Sequence, residues 1–321
     1  MNVVVIGLGS MGKRRIRLIK ALYPEYTVYG VDSREDRRNV AKEELGVDSF
    51  ESVDLLQNVD CAFVCTSPLS HAAIIRDCLS KKWNVFTEIN LVDDGYDDNI
   101  ELARNNGCKL FLSSTFLYRD ETRYIRSKVD DSCKWNYVYH IGQYLPDWHP
   151  WENYKDYFVG NKRTNGCREI LAIELPWLVE TFGNVNKYSA VADRITALGI
   201  DYDDNYAIQL LHENGNKGLL MVDVVSPVAV RKFEAYSEGK YLSWSGTPDS
   251  LFEYKQNSNS LEKVLFAEET EHVEGYSSFV VENAYKNEIE DFFEMIKSGR
   301  EPLHSFEKDK KIIKLIGELG A

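Results

Sequence analysis

The sequence predicts two domains of different fold class: an α/β domain built on a parallel sheet, then an α+β domain whose sheet is mostly antiparallel. Strand-like and helix-like segments alternate up to about residue 117, the pattern of parallel strands joined by crossover helices. Beyond Tyr118 the runs become longer, alternate polar with apolar residues and are rich in aromatic residues. We therefore place the domains at residues 1–117 and 118–321.

The first domain is organised around a glycine-rich turn. A run of β-branched residues leads into Gly7, Gly9 and Gly12 at the spacing G-x-G-x-x-G. Gly7 permits the tight turn, Gly9 lets the backbone approach a pyrophosphate, and Gly12 lets the following helix pack on the strand. Ser10 and Met11 place backbone N–H groups at the positive end of that helix. The sequence predicts a Rossmann domain that binds a dinucleotide, with a purely structural turn as the alternative.

An acidic residue follows at the position that selects the cofactor. Asp32 comes directly after the next apolar run, Thr27–Val31. This matches the spacing of about 20 residues from the turn to the carboxylate that accepts hydrogen bonds from the adenosine ribose. The same carboxylate repels the 2′-phosphate of NADP. We therefore predict NAD as the cofactor, and Arg34, two residues further on, keeps NADP open as an alternative.

Two further predicted strands, Cys61–Cys65 and Asn84–Glu88, also end in candidate site residues. Ligands of open parallel sheets bind beyond the carboxyl ends of the strands, so these residues are predicted to face the cofactor. They are Thr66, Ser67, Pro68 and Glu88. The other elements predicted in this domain are helices at Arg34–Leu45, His71–Leu79 and Asp97–Asn106 and a strand at Lys109–Leu112.

The second domain is predicted to contain several long strands and a few helices. The strand-like runs are Trp135–Tyr144, Gly218–Val225, Arg231–Tyr236 and Leu251–Tyr254. A helix at Glu169–Phe182 interrupts them, and its Pro176 is expected to kink it or to begin its second half. Two amphipathic helices, Glu282–Lys297 and Ser305–Leu319, close the chain. Because one helix covers little of a large sheet, we expect the open face to associate with another copy of the chain.

Composition excludes several classes of partner. The formal net charge of -13 opposes binding to nucleic acid or to an anionic membrane surface. The sequence shows neither a secretory leader nor an apolar run of membrane-spanning length, which favours a cytoplasmic protein. The six cysteines form no C-x-x-C pairs and the histidines show no metal-ligand spacing, so we predict free thiols and no metal site.

Taken together, these motifs resemble the Gfo/Idh/MocA family of glucose-fructose oxidoreductases and inositol dehydrogenases. The glycine turn, the Thr66-Ser67-Pro68 sequence followed by His71, the strand that ends in Glu88, and the antiparallel second domain all match the family's pattern. The resemblance covers nearly the whole chain. It implies a nicotinamide-dependent oxidoreductase, with Glu88 and His71 on the cofactor side.

The departures from the family pattern concern the catalytic groups. The family carries Glu-Lys-Pro where this chain has Glu88-Ile89-Asn90. Counting back from Phe182-Gly183, we align Ile173 and Pro176 with the family's helical histidine and aspartate, with Glu174 alongside. Hydride transfer from a carbinol needs a partner for the hydroxyl proton, and neither isoleucine nor proline can provide one. Glu174 is therefore a candidate catalytic group, with a paired or solvated carboxylate as the alternative.

A second candidate group lies at the start of the second domain. The segment from Gly142 to Trp151 resembles family members associated with surface-polysaccharide and sugar-nucleotide pathways. Aromatic faces suit a sugar ring and charged groups suit its substituents, which makes His149 a candidate catalytic residue. An aromatic cluster of the domain core is the alternative. The predicted substrate-binding residues are Tyr144, Asp147, Trp148, Trp151 and Lys155.

Three functions are compatible with these residues. The first is a nicotinamide-dependent oxidoreductase of a sugar or sugar nucleotide with an unusual acid/base group. The second is a cofactor-binding protein without hydride transfer, acting as a sensor or assembly partner. The third is a redox-neutral enzyme that keeps NAD bound and regenerates it in each turnover.

Replacing Ile89 by lysine is expected to leave the chain without ordinary family-type dehydrogenase activity. The partners at positions 173 and 176 are also missing, and groups that act as a unit are strongly non-additive. NADH fluorescence during incubation with neutral sugars measures the activity, with Ile89→Met as an uncharged control. Robust turnover by Ile89→Lys alone would show that the alignment of Ile173 and Pro176 is mistaken.

Overall fold

The computed structural model describes residues 1–150, 152–266, 279 and 281–321. The chain divides into two compact units, residues 1–114 with 285–311, and residues 115–284 with 312–321. The first unit therefore includes a late segment that the sequence analysis assigned to the second domain. Within the described residues, no helix is both long and apolar enough to cross a bilayer.

The first unit contains a six-stranded parallel sheet. Its strands are β1 (Asn2–Ile6), β2 (Thr27–Val31), β3 (Ser49–Phe50), β4 (Cys61–Val64), β5 (Asn84–Thr87) and β6 (Leu110–Leu112). They lie in the order β3-β2-β1-β4-β5-β6. The order in which successive strands are added to the sheet reverses between β1 and β4. The carboxyl ends of these two strands therefore flank the crevice where doubly wound folds bind ligands. The predicted α/β class of this domain is confirmed.

The helices of the described residues follow the predicted pattern closely in the first unit. They are α1 (Ser10–Leu22), α2 (Glu35–Leu45), α3 (His71–Ser80), α4 (Tyr96–Asn106), α5 (Asp120–Lys128), α6 (Gly166–Phe182), α7 (Glu282–Ser298) and α8 (Phe306–Glu318). Gly46 ends α2 with a left-handed φ of +60°, a conformation that glycine adopts without steric cost. The sequence analysis missed α5, whose five charged residues among nine obscure its apolar face.

Aromatic packing explains why the late segment belongs to the first unit. Phe292 of α7 lies edge-on to three rings of the parallel sheet, with centroids 5.3 Å from Phe63, 5.6 Å from Phe86 and 5.7 Å from Phe111. These three rings come from adjacent strands β4, β5 and β6. A helix whose apolar face fits such a surface buries more apolar area by packing on it than by packing on the elements that precede it in the sequence.

The second unit contains an eight-stranded sheet. Its strands are β7 (Asn136–Gly142), β8 (Val185–Asp193), β9 (Asn205–His212), β10 (Lys217–Asp223), β11 (Val230–Ser237), β12 (Lys240–Trp244), β13 (Phe252–Lys255) and β14 (Ser260–Lys263). They lie in the order β14-β13-β12-β11-β7-β10-β9-β8, and among the strands that the structure describes here only β7 and β10 pair in parallel. The predicted mostly antiparallel sheet is thus confirmed. The sequence analysis missed β8, β9, β12 and β14.

Helix α6 covers one face of this sheet through aromatic contacts. The ring of Trp177 lies 5.8 Å from Tyr139 and 5.3 Å from Phe233, and Phe182 stacks on Tyr137 at 4.3 Å. Pro176 lies inside the helix without ending it. The free energy gained by burying the helix on both sides of Pro176 therefore exceeds the free energy lost with the backbone hydrogen bond that a proline removes.

The opposite face of the sheet carries an exposed apolar strip. Val138, Leu219, Met221 and Val191 have exposed fractions of 41%, 53%, 44% and 74%. Val138 pairs directly with Leu219, while Met221 and Val191 are joined through Ala207 between them. The strip therefore crosses four neighbouring strands and forms one surface, which is the arrangement expected of a protein interface.

A lysine at Leu219 should convert an oligomer of this chain into monomers, because a charge in the middle of the apolar strip cannot be desolvated without a partner. Light scattering at micromolar concentration measures the mass. Leu265→Lys is the control, since Leu265 is also exposed, at 83%, but lies after the last strand. A wild-type chain that is already monomeric at this concentration would contradict the assignment of the strip as an interface.

Candidate functional site

The glycine-rich turn has the geometry of a phosphate cradle. Gly7 has a φ of +92° and donates its N–H to the Val31 carbonyl at 2.8 Å. A Cβ at Gly12 would lie 1.8 Å from the Gly7 carbonyl oxygen, so any larger residue would force α1 away from the strand. A Cβ at Gly9 would meet nothing nearer than the Arg37 guanidinium, at 3.8 Å. Gly9 therefore leaves open space beside the backbone, which suits close approach of a pyrophosphate.

The N-terminus of α1 is suited to an anion. Gly9 precedes the helix without a capping side chain, and the first turn contains no acidic residue. Ser10 is exposed and Met11 is half-buried. Uncapped N–H groups and the positive end of the helix dipole attract phosphate. The turn thus fits the pyrophosphate of NAD, which supplies a hydride acceptor when bound.

Asp32 lies at the end of β2 with its carboxylate fixed from two sides. Oδ2 accepts the Leu8 N–H at 2.8 Å and Oδ1 accepts the Arg34 N–H at 2.9 Å. The side chain of Arg34 pairs instead with Asp36, through contacts of 2.6 Å and 3.0 Å. The guanidinium nearest the Asp32 carboxylate is that of Arg37, at 3.5 Å. Asp32 is thus held beside the turn, where it can accept hydrogen bonds from a ribose.

The residues after β4 form a fixed turn around a buried histidine. His71 Nε2 lies 2.9 Å from the Thr66 carbonyl oxygen, and Nδ1 lies 2.6 Å from the Asn90 side-chain oxygen. Burial lowers the pKa of His71, which favours the neutral ring with one N–H to donate. Ser70 donates its hydroxyl to Thr66 Oγ1 at 2.8 Å. His71 therefore holds the backbone beside Ser67 and Pro68, which the sequence analysis assigned to the cofactor site.

Glu88 is paired inside the first unit. Arg15 of α1, which is fully buried, donates to Glu88 Oε1 at 2.6 Å and to Glu288 Oε2 at 2.8 Å. Burial disfavours the charge of Arg15, but the two carboxylates outweigh it and raise the pKa of the guanidinium. Ile89 is half-buried next to Glu88. The Glu88 side chain is thus part of an ion-pair network. This network positions the backbone at the end of β5.

Glu174 of α6 is fully buried and fully engaged. Its carboxylate accepts hydrogen bonds from Arg231 Nε at 3.0 Å, Tyr139 hydroxyl at 2.9 Å and Trp177 Nε1 at 2.7 Å. Burial lowers the pKa of Arg231, but the Glu174 carboxylate reverses this and leaves the pKa raised. These contacts match the alternative of a paired carboxylate, and they give Glu174 a structural role in joining α6 to the sheet. Ile173 is half-buried and Pro176 buried on the same helix.

The segment from Tyr144 onward packs on the N-terminus of α6. Trp148 donates Nε1 to the Gln143 carbonyl at 3.1 Å, and a Cβ at Gly166 would lie 3.4 Å from the Trp148 ring. His149 Nδ1 lies 2.7 Å from Glu152 Oε1, and its ring stacks on Tyr157 at 4.5 Å. The segment therefore combines a core contact through Trp148 with an accessible polar group at His149.

The other residues predicted for this segment are less enclosed. Asp147 and Lys155 are exposed, and Tyr144 is half-buried. The Lys155 ammonium lies 5.8 Å from the centre of the Tyr154 ring. Trp151 lies outside the described residues. The structure thus brings His149 and Trp148 together near the start of α6, while Asp147 and Lys155 face solvent.

Three polar residues of this region were missed by the sequence analysis. Glu169 lies in the first turn of α6, and burial raises its pKa to about 8. Tyr157 and Tyr202 have buried hydroxyl groups. The signal for Glu169 was present in the sequence, because it precedes Ile173 by four residues and so lies on the same face of the helix. The signal for the two tyrosines was absent, since only tertiary packing brings them to α6.

Comparison with known proteins agrees with this geometry. Residues 1–113 match the model of a family described as oxidoreductase family, NAD-binding Rossmann fold. These residues therefore match the NAD-binding Rossmann domain of the Gfo/Idh/MocA family, in agreement with the resemblance predicted from the sequence.

Individual proteins are similar to this chain over different lengths. A myo-inositol 2-dehydrogenase of Thermotoga maritima is 34% identical over 102 residues, which is 29% of this chain and 30% of that protein. The aligned part thus spans under a third of that relative. An Agrobacterium radiobacter oxidoreductase solved with NAD+, L-tartaric acid and magnesium has a TM-score of 0.83 at 13% identity, over 99% of this chain and 94% of that one.

A UDP-N-acetylglucosamine 3-dehydrogenase of Acidithiobacillus ferrooxidans has a TM-score of 0.78 at 18% identity. That alignment covers 100% of this chain and 96% of the other. At such low identity these structures establish the fold, which extends over both units. They confirm the predicted combination of a Rossmann domain with a mostly antiparallel second domain.

NAD(H) is expected to bind at least about tenfold more tightly than NADP(H), because the Asp32 carboxylate repels a 2′-phosphate. Competitive titration of both reduced cofactors by nicotinamide fluorescence measures the ratio. Asp32→Asn keeps an acceptor for the Leu8 N–H and should reduce the difference between the affinities for NAD(H) and NADP(H). Arg34→Ala is the matched control, because its guanidinium is paired with Asp36. Tighter binding of NADP(H) by the wild type would show that the arginines decide the preference.

Proposed function

We propose that the whole chain is a Gfo/Idh/MocA oxidoreductase that acts on a sugar or sugar nucleotide, in the cytoplasm and as a homo-oligomer. The single observation that carries this proposal is the phosphate cradle at Gly7, Gly9 and Gly12, with Asp32 fixed beside it. The names of similar proteins support the substrate class. One is an inositol dehydrogenase and another a dehydrogenase of a sugar nucleotide.

Residues of the second unit also support the proposal of a substrate that carries hydroxyl groups. The region around His149 combines aromatic rings with carboxylates and phenols, groups that bind sugar faces and sugar hydroxyls. We propose that the Tyr144–Lys155 segment forms one wall of the substrate site. Its resemblance to family members of surface-polysaccharide and sugar-nucleotide pathways supports a role in surface-polysaccharide biosynthesis.

A second candidate function follows from the pairing of two acidic residues. Glu88 is bonded to Arg15 and Glu174 to Arg231, so neither carboxylate is available to take a substrate proton without breaking a buried ion pair. With isoleucine at position 89, this favours a chain that binds NAD without net hydride transfer. Such a chain would act as a sensor or assembly partner, or as a redox-neutral enzyme with retained NAD.

Nicotinamide fluorescence distinguishes these functions. The purified protein is first denatured and its supernatant tested for released cofactor. The protein is then incubated with NAD and a panel of sugars and sugar nucleotides. Net formation of NADH supports the oxidoreductase, whereas bound cofactor without net formation supports the redox-neutral enzyme. Absence of both supports the sensor and overturns our leading proposal.

His149→Ala is expected to weaken substrate binding about tenfold, since it removes one polar group and one ring face, while NAD affinity and the melting temperature stay nearly unchanged. Isothermal titration and thermal unfolding measure the two effects. Lys187→Ala, an exposed lysine of β8, is the control for a neutral surface change. A variant that chiefly lowers the melting temperature would show that the segment is part of the core.

A further inference from the structure

A thiol and an amine from distant parts of the chain lie in contact on the second unit. Lys240 donates from Nζ to Cys133 Sγ at 3.4 Å, although 107 positions separate the two residues. Cys133 lies in the loop between α5 and β7, and Lys240 is the first residue of β12. We refer to these two side chains as the Cys133–Lys240 pair.

The register of the sheet brings the pair together. Tyr236 of β11 pairs with Asn136, the first residue of β7. The next residue of β11, Ser237, pairs with Lys240 across the turn between β11 and β12. The chain just before β7 therefore passes beside that turn, where the Ser237 hydroxyl donates to the Lys134 carbonyl at 2.8 Å. The contact between the two side chains thus follows from the pairing of the backbone.

The Lys240 ammonium is held in place by two further groups. Asp130 Oδ2 lies 3.3 Å from Nζ, and the centre of the buried Trp135 ring lies 5.6 Å from it. The face of an indole ring attracts a cation at this distance. The hydrogen bond to Cys133 raises the pKa of Lys240. A positive charge is therefore fixed beside the thiol.

Cys133 differs from the other cysteines in its protonation. All six cysteines lie within the described residues, and all are free. Burial raises the pKa of the other five thiols. Cys133 is half-buried, and hydrogen bonds from Ser237 and Lys240 lower its pKa. Since the thiolate is the form that reacts with oxidants, Cys133 is the cysteine that an oxidant reaches and attacks first.

We propose that hydrogen peroxide joins Cys133 to Lys240 through a bond between sulfur and nitrogen. In the first step the thiolate attacks one peroxide oxygen, so that an S–O bond forms, the O–O bond breaks and hydroxide leaves. Sulfur is oxidised to sulfenic acid and the peroxide is reduced. In the second step the neutral Lys240 amine attacks this sulfur. An S–N bond forms, the S–O bond breaks, and the hydroxyl leaves as water with a proton from the amine. The product is a sulfenamide, and the second step consumes no oxidant.

The geometry of the pair favours the second step. The distance of 3.4 Å from Sγ to Nζ is within the range of about 3–3.5 Å from which bonds form in oriented pairs. Conversion of the thiolate to sulfenic acid also removes the negative charge that stabilised the ammonium, so Lys240 releases its proton more readily. Neither residue belongs to the candidate cofactor or substrate site. The crosslink therefore does not rest on the proposed function.

Mass spectrometry of the full chain tests the crosslink. The purified protein is treated with hydrogen peroxide at pH 8.5 and digested without reductant. Peptides that contain Cys133 and Lys240 should appear joined, at a mass about 2 Da below the sum of the two, because the two steps together remove two hydrogen atoms. Dithiothreitol should separate them and restore the thiol. At limiting peroxide, Cys133 should be oxidised at least about tenfold faster than Cys108, which is also half-buried.

Two variants separate oxidation from crosslinking. Lys240→Arg keeps a cation beside the thiolate, but a guanidinium stays protonated and does not attack sulfur. This variant should form sulfenic acid at Cys133, which dimedone labels, and no crosslink. Cys108→Ser is the matched control at another half-buried cysteine and should crosslink as the wild type does.

Three results would overturn the proposal. The first is a wild-type chain whose Cys133 is oxidised without becoming joined to Lys240. The second is a crosslink that persists in Lys240→Arg, which would show that another amine is the partner. The third is oxidation of Cys108 at the same rate as Cys133 or faster, which would show that Lys240 does not activate the thiol.

Discussion

The first unit depends on one buried guanidinium. Arg15 lies on α1, immediately after the glycine turn, and joins Glu88 at the end of β5 to Glu288 of α7. Glu288 also accepts the Ser114 N–H at 2.6 Å, at the end of the sheet. Removing one partner from such a network leaves a buried charge uncompensated, which is strongly destabilising. The phosphate cradle, the Glu88 strand end and the late helix are therefore fixed by one set of ion pairs.

The second unit also contains a buried ion-pair network, but its central group is a carboxylate. This group is Glu174, which is surrounded by Arg231, Tyr139 and Trp177. All four side chains lie between α6 and the sheet. Satisfied networks of this kind specify a single packing of helix on sheet, because any displacement would leave charged groups without partners. Glu174 thus supports the packing of α6 on the sheet.

Glu169 differs from both of these residues in its hydrogen bonding. Glu88 and Glu174 are buried with arginine partners, whereas Glu169 has a buried oxygen without a hydrogen bond among the described residues. The three glutamates, which look equivalent in the sequence, therefore differ in their hydrogen bonding.

The sequence by itself determined the glycine turn and the alternating strands and helices of the parallel domain, but it assigned the late segment 285–311 to the wrong domain. Gly7, Gly9, Gly12 and Asp32 follow local rules of backbone conformation and spacing, so their arrangement depends little on distant parts of the chain. The antiparallel class of the second domain was likewise readable from alternation along its strands. Strand β8 was missed because it is an edge strand whose residues are mostly exposed, which leaves no clear alternation to detect.

Only the tertiary structure decided which acidic residues are paired. Arg15 and Glu288 are separated by 273 positions, and Arg231 and Glu174 by 57. No local pattern encodes such contacts, since they follow from which faces of helix and sheet pack together. The same holds for Tyr157 and Tyr202, which meet α6 through loops of irregular path. The sequence therefore specified the cofactor domain, whereas packing decided which of the second unit's polar groups could face a ligand.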